Sequence, residues 1–210
     1  MRNKLLSMVS LALVLVMCFT GCAALEELTS SSSAPEYEEN LTFTSVEEMV
    51  EYAGDNRKID PRFHSIMDDS GKITVYELKY MPKGYTLRDI RLEGTVLTFT
   101  YLNDENNEKR PITAMWNLGA VGDGRTMMRE FVKDHKTLAR ANKNIDVFYI
   151  ETEKTEELVS GRMVYFEQAD IMFTLYMPKK QFNNFKKKRD RLVNPMNVNV
   201  YHYSGAETTE

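Results

Sequence analysis

The stretch KITVYELKYMPKGYTLRDIRLEGTVLTFTYLNDENNEKRPITAMWNL, residues 72–118, decides the fold. Apolar and β-branched residues alternate there with polar ones, the period of an extended strand that buries one face. Lys72 to Tyr80 reads as one strand, Tyr85 to Leu92 as a second, Thr95 to Leu102 as a third and Pro111 to Leu118, with Trp116, as a fourth. In the third, Leu97, Phe99 and Tyr101 take one face while Thr98 and Thr100 take the other. Pro82-Lys83-Gly84 and Glu93-Gly94 supply turns, and Asn103 to Arg110 reads as a polar hairpin loop. Strands joined by such short connections form an antiparallel meander.

Upstream, Ser45-Val46-Glu47-Glu48 is a capping box, with Leu41 or Phe43 placed to staple it. Val46, Met49, Val50 and Ala53 then share a helical face, and Gly54 reads as the stop. Asp69-Ser70-Gly71 is a turn, which also accounts for the adjacent Asp68 and Asp69. Downstream, Gly119 to Gly124 reads as a flexible loop before a helix over Thr126 to Ala141. Its apolar face holds Met128, Phe131, Val132, His135 and Leu138. Ile145 to Glu151 predicts a strand and Lys154 to Val159 a short helix. Met163 to Gln168 and Ile171 to Met177 predict a hairpin across Ala169-Asp170. Gln181 to Val193 reads as one basic amphipathic helix with Phe182, Phe185 and Leu192 inward, and Met196 to Tyr203 as a last strand. The sum is an α+β domain: a mostly antiparallel sheet with about three helices.

The amino terminus follows different rules. Arg2 and Lys4 precede fifteen uncharged residues, Leu5 to Phe19, and then come Thr20, Gly21 and Cys22. This is the basic, apolar, small-residue layout of a secretory signal, and it is short for a membrane span of about 20 residues. Phe19-Thr20-Gly21-Cys22 resembles the lipobox of bacterial lipoproteins, with Phe in the place usually held by Leu. The resemblance implies cleavage between Gly21 and Cys22, lipidation of Cys22 with diacylglycerol and further acyl (palmitate-type) chains, and a site at the outer face of the cell membrane. Two or three acyl chains hold a protein firmly to a bilayer, at roughly 0.8 kcal/mol per buried methylene. Residues 22–43 then form an acidic, Ser-rich linker with Ser30 to Ser33, Pro35 and five glutamates, and residues 44–210 form a single extracytoplasmic domain. Twenty such residues span about 25 Å.

Composition narrows the function classes. The chain has 27 basic and 31 acidic residues; a leader ending at Gly21 removes only Arg2 and Lys4, which leaves 25 against 31, or −6. An acidic domain has no general attraction for nucleic acid. Of the two cysteines, Cys18 would leave with the leader and Cys22 would be blocked as a thioether, so no thiol chemistry is expected. His64, His135 and His202 are dispersed, and no zinc, calcium or Walker motif occurs, so neither a metal nor another cofactor is expected. The Gly119 to Gly124 run lacks the dinucleotide spacing and carries Asp123, which repels phosphate. Ser160-Gly161 lacks the nucleophile-elbow pattern, so no catalytic residue is assigned.

The strongest surface feature is a cationic run: Lys179, Lys180, Lys186, Lys187, Lys188, Arg189 and Arg191, offset only by Asp190. It is the candidate contact for an anionic lipid surface or envelope polymer; a solvated helix face that balances an acidic body is the plainer account.

Tyr80-Met81-Pro82-Lys83-Gly84-Tyr85, then Glu93-Gly94, then Phe99 and Tyr101, resembles a domain of unknown function found in extracytoplasmic lipoproteins and beside anti-sigma regulators of Gram-positive-type bacteria. Gly161 to Met177 and the closing helix resemble the end of that domain, so the likeness covers about Lys72 to Val193. That family has no assigned catalytic residues to carry over. The resulting expectation is a non-enzymatic binding or regulatory domain, whose partner is an envelope polymer or a membrane protein. Two alternatives are a carrier with an apolar cavity between sheet and helices, and a cell-envelope hydrolase with clustered carboxylates or a His–carboxylate pair.

Overall fold

A computed structural model describes residues 39–103, 110–156 and 158–203. These belong to one compact unit, Tyr37–Glu210. The residues read as a leader and lipobox, Gly21 and Cys22 among them, most of those read as a linker, and the tip of the loop after Asn103 lie outside the described residues.

The domain is α+β and mostly antiparallel. Its main sheet has eight strands in the order β1-β3-β4-β5-β9-β8-β7-β6: β1 Asn40–Phe43, β3 Tyr85–Glu93, β4 Val96–Asn103, β5 Ile112–Asn117, β6 Ala139–Asn142, β7 Ile145–Thr152, β8 Gly161–Gln168 and β9 Ile171–Pro178. A separate two-stranded ribbon pairs β2 Lys72–Leu78 with β10 Met196–His202. Four α-helices are described: α1 Val46–Asp55, α2 Gly124–Asp134, α3 Lys179–Phe185 and α4 Arg189–Val193.

The expected meander holds for β3, β4 and β5, in register from Tyr85↔Asn103 and Val96↔Asn117. The strand at Lys72 does not join it; β1 takes the place beside β3, pairing Asn40↔Glu93 through Phe43↔Ile90. The reason is burial on two sides. Ile73 and Val75 on one face of β2, and Tyr76 and Leu78 on the other, are all buried. The edge of a one-sided sheet covers a single face, which suits Leu41 and Phe43 but not β2. Residues 40–43 therefore belong to the domain rather than to the linker.

Most of the core lies on one face of the sheet. Trp116 stacks on Phe99 at 5.1 Å and meets Tyr76 at 6.2 Å and Phe173 at 5.5 Å. On this face α1 buries Val46, Met49, Val50 and Ala53. Ser45 caps α1 by accepting from the Glu48 N–H at 3.1 Å, while the Glu48 carboxylate accepts from the N–H of Thr44 at 2.6 Å and from its hydroxyl at 2.7 Å. Gly54 does not stop the helix, which continues to Asp55. It is small because the Tyr203 ring lies on it, where a Cβ would overlap the ring.

On the opposite face α2 covers only β7 to β9, through Met128 and Phe131 against Phe148 and Tyr165. The helix ends at Asp134, not at Ala141. His135 leaves helical geometry, and Ala139–Asn142 pairs with β7 as an edge strand, so sheet pairing overrides the helix propensity of Ala-Arg-Ala. Residues 153–156 and 158–159 form no helix; Thr155 and Leu158 close a turn in the β7–β8 connection. The β8–β9 hairpin turns at Ala169 and Asp170 as expected, both with positive φ (55° and 59°). That pair of left-handed residues makes the tight turn matching strand twist.

One buried charge pair fastens the amino-terminal edge. Asp60 is fully buried and takes Arg62 Nε at 2.8 Å and Nη2 at 2.6 Å. Arg62 Nη1 donates to the carbonyls of Glu39 at 2.9 Å and Gly94 at 3.1 Å, which ties β1 to the β3–β4 turn. Removing one member of such a pair strands the other charge. Arg62→Ala should therefore lower stability by about 3–5 kcal/mol, and the joint change Asp60→Asn with Arg62→Met should recover most of it. Urea unfolding midpoints of the three chains check this.

Candidate functional site

The cationic run is built from two short helices rather than one. α3 ends at Phe185 with Lys186 as its cap, the chain is extended at Lys188, and α4 restarts at Arg189. A continuous helix would set five cations between 186 and 191 within one or two turns of each other, where like charges at neighbouring helical positions destabilise. The apolar anchors sit as expected: Phe182, Phe185 and Leu192 are buried.

Aromatic rings hold part of the run in place. Phe182 packs on Tyr149 at 4.6 Å and Phe185 on Tyr80 at 6.3 Å. Lys186 Nζ lies 5.3 Å from the Phe182 centroid and 5.8 Å from that of Tyr149. The Arg191 guanidinium lies 3.7 Å over the Tyr80 ring and donates to the Asn184 carbonyl at 2.8 Å. It is thereby oriented before any ligand arrives. Lys187 Nζ reaches Asn184 Oδ1 at 3.3 Å.

Lys179, Lys180, Lys186, Lys187, Lys188 and Arg189 are exposed, and Arg191 is half-buried. Lys186 to Arg191 cluster at the far end of α3, and Lys179 and Lys180 stand at its start, about 10 Å away along the axis. Among the described residues, none of the seven forms an ion pair. The ion pairs among the described residues use Arg57, Arg62, Arg91, Arg125, Arg140 and Arg162, and no described lysine takes part in one. Lysines after the last turn of α3 suit its dipole, but Lys179 and Lys180 in the first turn oppose it.

The other candidate positions have structural partners. The loop before α2 is pinned rather than flexible. The Asp170 carbonyl accepts from Gly122 N–H at 3.0 Å and Gly124 N–H at 2.9 Å, and its carboxylate accepts from Arg125 N–H at 2.9 Å. The donors a phosphate would need are thus occupied by the β8–β9 turn, and Gly124 lies so close to the Ile171 backbone that a Cβ would overlap it. Asp68 closes the turn before β2, taking the Ser70 hydroxyl at 2.7 Å and the N–H groups of Ser70 and Lys72 at 2.9 and 3.0 Å. The Ser70 hydroxyl first, then these N–H groups, hold its carboxyl below the ordinary value.

His64 meets the Arg57 carbonyl at 2.7 Å, and His135 stacks on Phe131 and meets its carbonyl at 2.8 Å. His202 is exposed at the end of β10. Among the described residues, no group of three or more His, Cys, Asp or Glu could hold a metal ion, and no helix is long and apolar enough to cross a membrane. Two surface hollows, of about 210 Å³ and about 500 Å³, are described. Ile66, Thr74, Tyr76 and Val121 help line the first; Arg57, Lys58, His64, Met67 and Asp69 line the second. Neither has the enclosed apolar wall that a lipid carrier needs.

One polar cluster was not foreseen. Glu77 on β2 accepts from Asn199 Nδ2 and from the Tyr201 hydroxyl on β10, close to Tyr101 on β4. No local motif marks it, because Glu77 and Asn199 are 122 residues apart. The Tyr101 hydroxyl is buried without a hydrogen-bond partner of ordinary geometry. Burial, reinforced by the Glu77 carboxylate, pushes its pKa well above the usual 10.

Comparison of the chain with protein-family models, with curated proteins and with solved structures found no match, so no relative's residue roles carry over to it.

A phenol held protonated by the fold contributes fully below the ordinary value of 10, and its contribution fades as the pH rises beyond that. The melting temperature should therefore fall from about pH 10 upward, and fall less steeply in Tyr101→Phe. Near neutrality that variant should melt no lower than the parent, because it removes a buried unpaired hydroxyl. Circular dichroism melts from about pH 8 to about pH 11.5 check both.

Proposed function

We propose that the chain is a bacterial lipoprotein of the outer face of the cell membrane, with a leader ending at Gly21 and diacylglycerol on Cys22. Its domain is a non-enzymatic binding module that meets anionic lipid or envelope polymer through Lys179, Lys180, Lys186, Lys187, Lys188, Arg189 and Arg191. The observation carrying this reading is the density of exposed positive charge: six exposed cations and the half-buried Arg191 lie within thirteen residues of chain, and none is ion-paired among the described residues. Unpaired cations beside anchored aromatic rings keep their charge available to an outside partner.

Each cation near an anionic surface contributes about 1 kcal/mol, less as salt rises. A tether of about 25 Å r.m.s. span keeps such a surface within reach, and its glutamates keep the tether itself off that surface.

Two measurements test the halves separately. Cys22→Ser should abolish metabolic labelling with palmitate; continued labelling would reject the lipidation site. With residues 23–210 freed of leader and lipid, Lys186→Glu, Lys187→Glu and Lys188→Glu together should weaken flotation with phosphatidylglycerol-rich vesicles at low salt by at least about tenfold. Unchanged flotation would leave the cations as a solvated face.

A further inference from the structure

The ribbon strand β10 carries a second interaction surface, independent of the cations. Its pairing to β2 follows one register throughout, from Met196↔Leu78 to His202↔Lys72. The flanking backbone bonds set the phase: Lys79 N–H donates to the Pro195 carbonyl at 2.9 Å, and Tyr203 N–H to the Gly71 carbonyl at 3.2 Å. In an antiparallel pair only every second residue bonds its partner. The odd-numbered residues of β10 therefore face β2, and the N–H and C=O of Met196, Val198, Val200 and His202 face the other way.

The Gln168 side chain confirms that phase. Its amide donates to the Met196 carbonyl at 2.9 Å, and its oxygen accepts from the Met196 N–H at 3.0 Å, as a neighbouring strand would. Beyond Met196 no described residue bonds this edge. Val198 and Val200 beside it are 51% and 55% exposed, among the few large apolar residues of the described domain left in the open.

Exposed edges normally carry a safeguard: a lysine, a proline, a bulge or an inward charge. Met196-Asn197-Val198-Asn199-Val200-Tyr201-His202 has no proline, no bulge and no Asp, Glu, Lys or Arg, in a chain that is 28% charged. The strand is also self-complementary. Set antiparallel to a copy of itself about Asn199, it places Val198 opposite Val200 of the copy. Both members of that pair belong to the phase whose backbone groups face outward. The two symmetric pairs exchange four backbone hydrogen bonds and cover four exposed valines, and no like charges meet across the axis.

We propose that β10 is a homodimerisation edge: two copies of the chain join β10 to β10 antiparallel, centred on Asn199, into a continuous four-stranded sheet β2-β10-β10-β2. Gln168 limits the seam to its central residues by occupying Met196, so this is a small interface. Chains confined to one membrane plane would meet often enough to use it.

Sedimentation of the purified full chain in density-matched detergent, over a concentration series, tests the proposal. The parent should show a monomer–dimer equilibrium. Val198→Lys with Val200→Lys should abolish the dimer, and Val193→Lys, at a valine 51% exposed but outside the edge, should leave it unchanged. A parent that stays monomeric, a doubly lysine-substituted chain that still dimerises, or loss of the dimer in Val193→Lys would overturn it. A second variant guards against misfolding: Asn199→Cys should form a disulfide-linked dimer on mild oxidation, because residue 199 faces its own copy across the axis, whereas Val193→Cys should not. Equal cross-linking of the two would likewise reject the seam.

Discussion

The pairing of β5 with β9 is the constraint on which the architecture depends. Four register pairs, Thr113↔Tyr176 to Trp116↔Phe173, join two separately built halves of the sheet. The strands on one side are β1, β3, β4 and β5, and those on the other are β6 to β9. Within each half most neighbours are hairpin partners and form locally. The seam joins residues about sixty positions apart, so its loop-closure entropy must be offset by side-chain burial. Trp116 and Phe173 supply that burial, packed ring on ring and closed over by Tyr76 of the ribbon. A break in this seam would leave two four-stranded sheets, each exposing its inner face.

The same asymmetry decides where polar chemistry goes. The inner face is filled by aromatic and aliphatic side chains, with Phe99, Phe166, Phe173, Phe182 and Phe185 almost wholly buried. Several of the polar groups that enter it tie elements together. Arg62 joins β1 to the β3–β4 turn, Glu77 joins the two ribbon strands, and Gln168 joins the ribbon to the β8 end. Such ties specify position more than they add stability, since a neutral pair of similar shape would serve as well energetically. They leave the surface, rather than the interior, to contact partners. There the two distinct features are the cationic segment after β9 and the neutral edge of β10.

Those features have different physics. Attraction of the cationic segment to an anionic partner, as proposed, would act at a distance, weaken with salt and place weak demands on shape. Pairing at the β10 edge, as proposed, would act at contact, through directional backbone groups, and would be nearly indifferent to salt. A tethered module carrying both could be held against a charged surface by the first and organised laterally by the second.

The sequence by itself determined the elements whose physics is local. One-sided alternation marked β3, β4 and β5; Ser45 marked the start of α1; and the spacing of Phe182, Phe185 and Leu192 marked the buried side of the closing helices. The cationic run was equally legible, because a charge excess requires no partner to be seen. Tertiary structure alone decided the rest. The strand at Lys72 reads like its neighbours until β10, from the far end of the chain, pairs along its edge. Ala139 to Ala141 reads as the end of a helix until β7 offers it an edge. Gly54 reads as a helix stop until Tyr203 settles on it. In each case the deciding energy is burial or pairing against residues distant along the chain, and a local window holds no record of which distant residues those will be.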